Sequence, residues 1–119
     1  MGTFRIGFSV SSLQAAGPSV ELKGLVDTGA TFPFIPEQIL HSLGIPPKGE
    51  KTFTLADGSH LKLSVGEARL TFNGTSAPCL VVFAPQNAEP LFGALALESL
   101  GLEVDPVNRR LKPATLYLA

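Results

Sequence analysis

Leu25-Val26-Asp27-Thr28-Gly29-Ala30 is the stretch on which the reading of this chain turns. It sets a carboxylate directly after the apolar run Leu25-Val26 and just ahead of Phe32-Pro33-Phe34-Ile35-Pro36. A charged group in so apolar a neighbourhood costs free energy unless partners or a function hold it there. The other two aspartates stand in ordinary turn contexts, Asp57 before Gly58 and Asp105 before Pro106, where side-chain bonds to the local backbone explain them. Asp27 is therefore the candidate reactive acid. The tripeptide Asp-Thr-Gly alone is a weak signal, since at roughly 5 to 7% usage per residue type it arises by chance in about one chain in forty of this length.

The surroundings of the motif read as mostly β. Phe4, Ile6, Phe8 and Val10 alternate with Thr3, Arg5, Gly7 and Ser9, the period-2 pattern of a half-buried strand. Ala15 to Pro18 turns the chain into the return strand Val20 to Val26. Lys51 to Leu55 and His60 to Val65 flank Ala56-Asp57-Gly58-Ser59, a hairpin signal. Ala68 to Phe72, Pro78 to Phe83 and Arg110 to Leu118 read as further strands. Asn73-Gly74-Thr75 spells a glycosylation sequon, and in a chain without export signals it reads better as an Asn-Gly hairpin turn.

Two short helices punctuate this pattern. Pro36 suits a first helical turn, Glu37 favours the positive helix end and Gly44 supplies a left-handed stop, which predicts a helix over Pro36 to Leu43. Leu91-Phe92-Gly93 leads into a second, Ala94 to Leu100, stopped by Gly101. Ile39-Leu40-His41-Ser42-Leu43-Gly44-Ile45 and Ala96-Leu97-Glu98-Ser99-Leu100-Gly101-Leu102 share Leu, Ser, Leu and Gly 57 residues apart. Two amphipathic helices with glycine stops can look alike by composition alone; together with the apolar segment before each, the echo suggests two similar halves.

Length and composition narrow the function classes. The 119 residues make one domain, 1–119, and cannot form two independent cores. A 45% hydrophobic content with mean hydropathy +0.28 excludes a disordered chain. A net charge of −1 without any tract of like charge disfavours nucleic-acid and anionic-membrane binding. The longest apolar stretches, Cys79 to Ala84 and Leu91 to Leu97, fall far short of the roughly 18 to 20 residues that span a bilayer. The first residues carry one cation, Arg5, and no signal-peptide pattern, and Ile6 breaks a myristoylation match. The one cysteine, Cys79, cannot form an internal disulfide, which fits a cytoplasmic location. Only 16% of residues are charged, against about 25% in a typical soluble domain, so a partner is expected to cover part of the surface.

Asp27-Thr28-Gly29-Ala30 in its apolar frame, with a second apolar-apolar-Gly and helix about sixty residues on, resembles the retropepsin-like aspartic proteases. The resemblance runs from the first hairpin to the helix after Leu91-Phe92-Gly93. It implies a closed acid-protease barrel and an endopeptidase in which water is activated between two carboxyl groups sharing one proton. Because each chain supplies one such motif, the pair requires a symmetric homodimer with an Asp27 from each subunit. A monomer is expected to be inactive, and the shared proton implies best activity below neutral pH. From the family motif, Gly29 allows close approach of the two loops and offers its N–H to the carboxylate, while the Thr28 hydroxyl bonds across the axis.

The same resemblance makes Thr52 to Leu63 a flap with Ala56, Asp57 and Gly58 at its tip. A peptide would bind as an extended strand beside it. Ala30, Phe32, Phe34 and Leu55 are the candidate substrate-lining residues, although Phe32, Phe34 and Leu55 could equally be plain core. No cofactor or metal is implied, since His41, His60 and Cys79 lack ligand spacing. Retroviral members carry an arginine directly after the second glycine, where an ion pair braces the acid loop. Here that position is Ala94, leaving Arg109 or Arg110 as the cations that could substitute. The tail Leu116-Tyr117-Leu118-Ala119 could join an intersubunit sheet or fray at the surface. Two other readings remain open: a non-catalytic dimerisation or peptide-binding module with this fold, and a monomeric β-barrel domain.

Overall fold

In the computed structural model, which describes residues 3–14 and 17–118, alternation of apolar and polar residues sets the first layer. Strand β1 (Phe4–Ser11) buries Phe4, Ile6, Phe8 and Val10 and exposes Arg5 and Gly7. It pairs antiparallel with β2 (Ser19–Val26), from Phe4↔Val26 to Ser11↔Ser19. Residues 15 and 16 of the expected turn lie outside the described residues. The chain continues through β3 (Phe34–Pro36), α1 (Glu37–Ser42), β4 (Gly49–Thr54), β5 (His60–Phe72), β6 (Thr75–Ala84), β7 (Leu91–Phe92), α2 (Ala94–Leu100), β8 (Leu102–Asp105) and β9 (Arg110–Pro113).

Seven strands form one sheet in the order β1-β2-β7-β3-β6-β5-β4, and β1 also pairs with β5 through Ser9↔Thr71 to Ser11↔Arg69. Strands β8 and β9 form a separate antiparallel pair. The fold is thus mostly β with two short helices. Between the layers lie Val10, Ile35, Leu40, Leu70, Val81 and Phe92, all fully buried, each contributing about 1.5 to 3 kcal/mol of hydrophobic stabilisation. Phe8 meets Phe92 edge-on at 5.0 Å between ring centroids.

Three expectations change. The strands expected at His60 to Val65 and Ala68 to Phe72 are one continuous strand, β5. The strand expected from Arg110 to Leu118 ends at Pro113, opposite Leu102, where its partner β8 begins just after the left-handed Gly101 that stops α2. Leu116, Tyr117 and Leu118 are exposed and outside any strand, and Ala119 lies outside the described residues. Helix α1 is also shorter than expected, with Pro36 as its N-cap and Leu43 as its C-cap. Asn73 and Gly74 both have positive φ, 53° and 84°, as a tight β5–β6 turn requires.

The 57-residue echo is architectural. Leu25 and Val26 of β2 pair with Leu91 and Phe92 of β7. Moving each residue to its counterpart gives Val82 and Phe83 of β6, which pair with Phe34 and Ile35 of β3. Leu25 N–H donates to Pro90 O at 2.9 Å, and Val82 N–H donates to Pro33 O at 2.9 Å. Phe34 pairs antiparallel with its own counterpart, Leu91. An internal two-fold therefore passes between β3 and β7, and each half ends in a helix stopped by a left-handed glycine, Gly44 or Gly101.

Candidate active site

Strand β2 delivers Asp27 at the point where its ladder stops. Asp27 N–H donates to Phe92 O at 3.2 Å, the last tie to β7, and Ala30 N–H then closes a turn on Asp27 O at 3.1 Å. Inside this turn Gly29 N–H donates to Asp27 Oδ1 at 2.9 Å, a bond that strengthens as the carboxylate gains charge. A Cβ on residue 29 would stand 3.2 Å from that same oxygen. Asp27 is half-buried, Thr28 and Gly29 are exposed, and Ala30 is half-buried. Asp27 and Thr28 open onto a cavity of about 190 Å³ walled by Thr3, Phe4, Val26, Val104 and Pro106.

The acid loop is clamped from behind by α2. Ala94 N–H donates to Ala30 O and Leu95 N–H to Thr31 O, both at 2.8 Å. These are the first amides of the helix, which have no partners inside it. Gly93 is what permits the approach: a Cβ there would meet Phe32 O at 2.7 Å and Ala30 O at 2.8 Å. The brace sought from an arginine at position 94 is therefore made by backbone. Arg109 and Arg110 do not take that part. Arg109, at φ 52°, donates from Nη2 to Thr3 O at 2.8 Å, and Arg110 Nε donates to Asp105 Oδ2 at 3.4 Å.

Asp105 organises the β8–β9 turn that carries Val104 and Pro106 to the cavity. Its Oδ1 accepts from the Val107 and Asn108 N–H groups, and its Oδ2 from Asn108 Nδ2 at 2.9 Å. The Asn108 side-chain amide, followed by its backbone N–H, holds this carboxyl below its usual range against the opposing effect of burial. It is a structural acid.

The β4–β5 hairpin projects the remaining candidates. Leu55, Ala56, Asp57 and Gly58 are all exposed at its end. Leu55 N–H donates to Ser59 O, Gly58 N–H to Leu55 O, and Gly58 has φ 87°. Asp57 accepts from the Ser59 hydroxyl and N–H, which lower its pKa. Leu55 itself is exposed. The Phe53 ring meets Phe34 at 5.5 Å and Phe32 edge-on at 6.3 Å. Sequence reasoning missed Phe53, although its place two residues from Leu55 on an alternating strand put both on one face.

Cys79 is buried, burial pushes its thiol pKa up and the Ser99 hydroxyl partly offsets this, the surroundings of a structural thiol. Among the described residues no group of three His, Cys, Asp or Glu could hold a metal ion, and no helix is long and apolar enough to cross a membrane.

The family model for aspartyl proteases matches residues 12–104. Among solved structures, the chain is similar to the protease of Simian Foamy Virus (mac), determined in solution. The match has 17% identity and a TM-score of 0.54, covering 78% of this chain and 92% of that one. No curated protein matches the chain.

Proposed function

The chain belongs to the aspartyl protease family, and from that premise we propose that it hydrolyses peptide bonds as a homodimer, with one Asp27 from each subunit. The observation that carries this reading is the position of Asp27 within the internal two-fold. Its counterpart 57 residues on is Ala84, so a single chain has one acid where the chemistry needs two. Two unit charges about 3 Å apart at an effective dielectric of about 20 repel by roughly 5 kcal/mol, or about 4 pKa units. One carboxyl of such a pair therefore stays protonated while the other ionises.

The ionised Asp27 takes a proton from the water held between the two as the water oxygen attacks the peptide carbonyl. The protonated Asp27 gives its proton to the carbonyl oxygen. The resulting tetrahedral centre collapses with return of that proton to an aspartate, transfer of one to the leaving nitrogen and cleavage of the C–N bond. Gly29 N–H keeps each carboxylate oxygen in place, and the α2 clamp fixes the loop on which it rides. Thr28, exposed beside Asp27, is suited to bond across the dimer axis. The β4–β5 hairpin acts as the flap that excludes water. The pairing of β1 with β5 supports a closed barrel as the body of each subunit. A reducing compartment such as the cytoplasm suits the free, buried Cys79.

The test is cleavage of a mixed peptide library between pH 3 and 8 by the wild type and Asp27→Asn, with mass measured by sedimentation. Hydrolysis is expected below neutral pH and lost in the variant, with the dimer mass kept. A wild-type dimer that cleaves nothing at any pH would mark a peptide-binding module instead, and one chain per particle at high concentration would remove the dimer.

A further inference from the structure

The inner wall of the β4–β5 hairpin carries a cation with no acidic partner. Strand alternation puts Lys51 and Phe53 on one face of β4, and the register puts Leu63 and Leu61 opposite them on β5. This face looks onto the segment that follows the acid loop. Phe53 wedges against Phe32 and Phe34, and Lys51 Nζ stands 5.7 Å from the centroid of the Phe32 ring. Phe32, Phe34 and Phe53 are only half-buried and Lys51 is exposed, so the wedge is a finished surface still open on one side.

Charge makes this surface selective. Among the described residues the ion pairs are Arg5–Glu89, Lys48–Glu67 and Arg110–Asp105, and none includes Lys51. Glu50 is next in sequence but on the opposite face of the strand. The Lys51 ammonium thus has only the face of a phenylalanine, a weaker partner than a carboxylate. A side chain laid on the wedge needs an apolar stem to cover the rings and an anionic end to reach Nζ.

Resting on the protease reading above, we infer that Lys51 makes this enzyme select peptides bearing a glutamate or aspartate at the residue that docks on the Phe32–Phe34–Phe53 wedge. An extended chain places every second side chain toward one wall, so the preference should appear at one position relative to the scissile bond. Lys51 acts as a specificity-determining residue and takes no part in bond cleavage.

The test profiles the wild type, Lys51→Ala and Lys51→Glu on peptides that vary one position at a time among Glu, Gln and Lys. Cleavage is read as kcat/KM, and binding is measured separately on Asp27→Asn and on Asp27→Asn combined with Lys51→Glu. The wild type should prefer Glu over Lys at one position, Lys51→Ala should flatten that ratio, and Lys51→Glu should invert it, a total swing of about tenfold or more from replacing attraction by repulsion. Equal profiles for wild type and Lys51→Glu, or a wild type indifferent to Glu at every position, overturn the assignment. If no peptide is cleaved, the protease reading fails and binding decides: Glu-enriched binding lost in the double variant supports the role of Lys51, and indifferent binding overturns it.

Discussion

The half built around Asp27 and the half built around Ala84 share a backbone plan, with a strand into a loop, a second strand beside it and a short helix. They differ in what the loop has to hold. In the first half β2 stops at Asp27, the turn folds back through Ala30, and α2 grips it through the Ala94 and Leu95 amides. In the second, β6 continues through Ala84, which is fully buried, and its turn is closed by Ala88 N–H on Pro85 O at 3.0 Å. Among the described residues no such clamp joins α1 to residues 85–88. The counterpart of Gly93 is Pro36, the N-cap of α1. The clamp is thus present behind the acid and, among the described residues, missing where no acid is carried, which marks it as a device of the site and not a by-product of the duplicated fold.

The strongest way to break this comparison is to exchange the acids. Asp27→Asn should lower peptide hydrolysis by about a thousandfold or more, within the range lost with an essential acid–base group, measured as kcat/KM on a cleaved peptide. Adding Ala84→Asp to that variant should restore nothing. The paired helices come next. Leu40 and Leu97 are counterparts and both buried, so Leu40→Ala and Leu97→Ala should each cost about 2 to 5 kcal/mol in urea unfolding. Only Leu97→Ala should also reduce kcat in conditions where the protein stays folded, because α2 alone touches the acid loop.

A smaller change isolates the clamp. Gly93→Ala forces a methyl against two carbonyl oxygens and should cost about 1 to 3 kcal/mol together with loss of kcat, whereas Pro36→Ala, at the matching position, should cost under about 1 kcal/mol and leave kcat intact. Equal effects at the two positions would falsify the asymmetry. The smallest effect concerns Asp105, whose folded-state pKa is lowered from 3.8. Its contribution to stability is present above the unfolded value and is lost as pH falls through the folded one. Asp105→Asn should therefore lower Tm at pH 7, and the gap to wild type should close below about pH 4.

Much of this was legible because alternation and punctuation are local. The β1 pattern, the Asp27 motif and the Ala94 to Leu100 helix with its Gly101 stop were all readable one residue at a time. What escaped depended on contacts between distant segments. Gly66 reads as a break in a strand, yet β5 runs straight through it, since the missing side chain makes room for Pro46 O at 2.8 Å and the Phe83 ring at 3.0 Å. Strand β3 is not legible in sequence, because its three residues carry no usable period. The Asp105-Pro106 pair is an ordinary turn signal in sequence, which says nothing of the β8 strand before it or of the cavity beside Asp27 that Val104 and Pro106 wall. The backbone brace was invisible because Ala94 contributes an amide that any residue there would have.

Strand β5 is the one element shared by the hairpin and the body. Its first residues pair with β4, Val65 pairs with both Gly49 and Val82, and its later residues pair with β6 and β1. A tilt of the hairpin therefore cannot be absorbed in a loose connection. It has to be taken up as bending or twisting of a single continuous ribbon; under the proposed flap role, the stiffness of that ribbon near Val65 would set how fast a peptide is trapped and let go, far from the peptide itself.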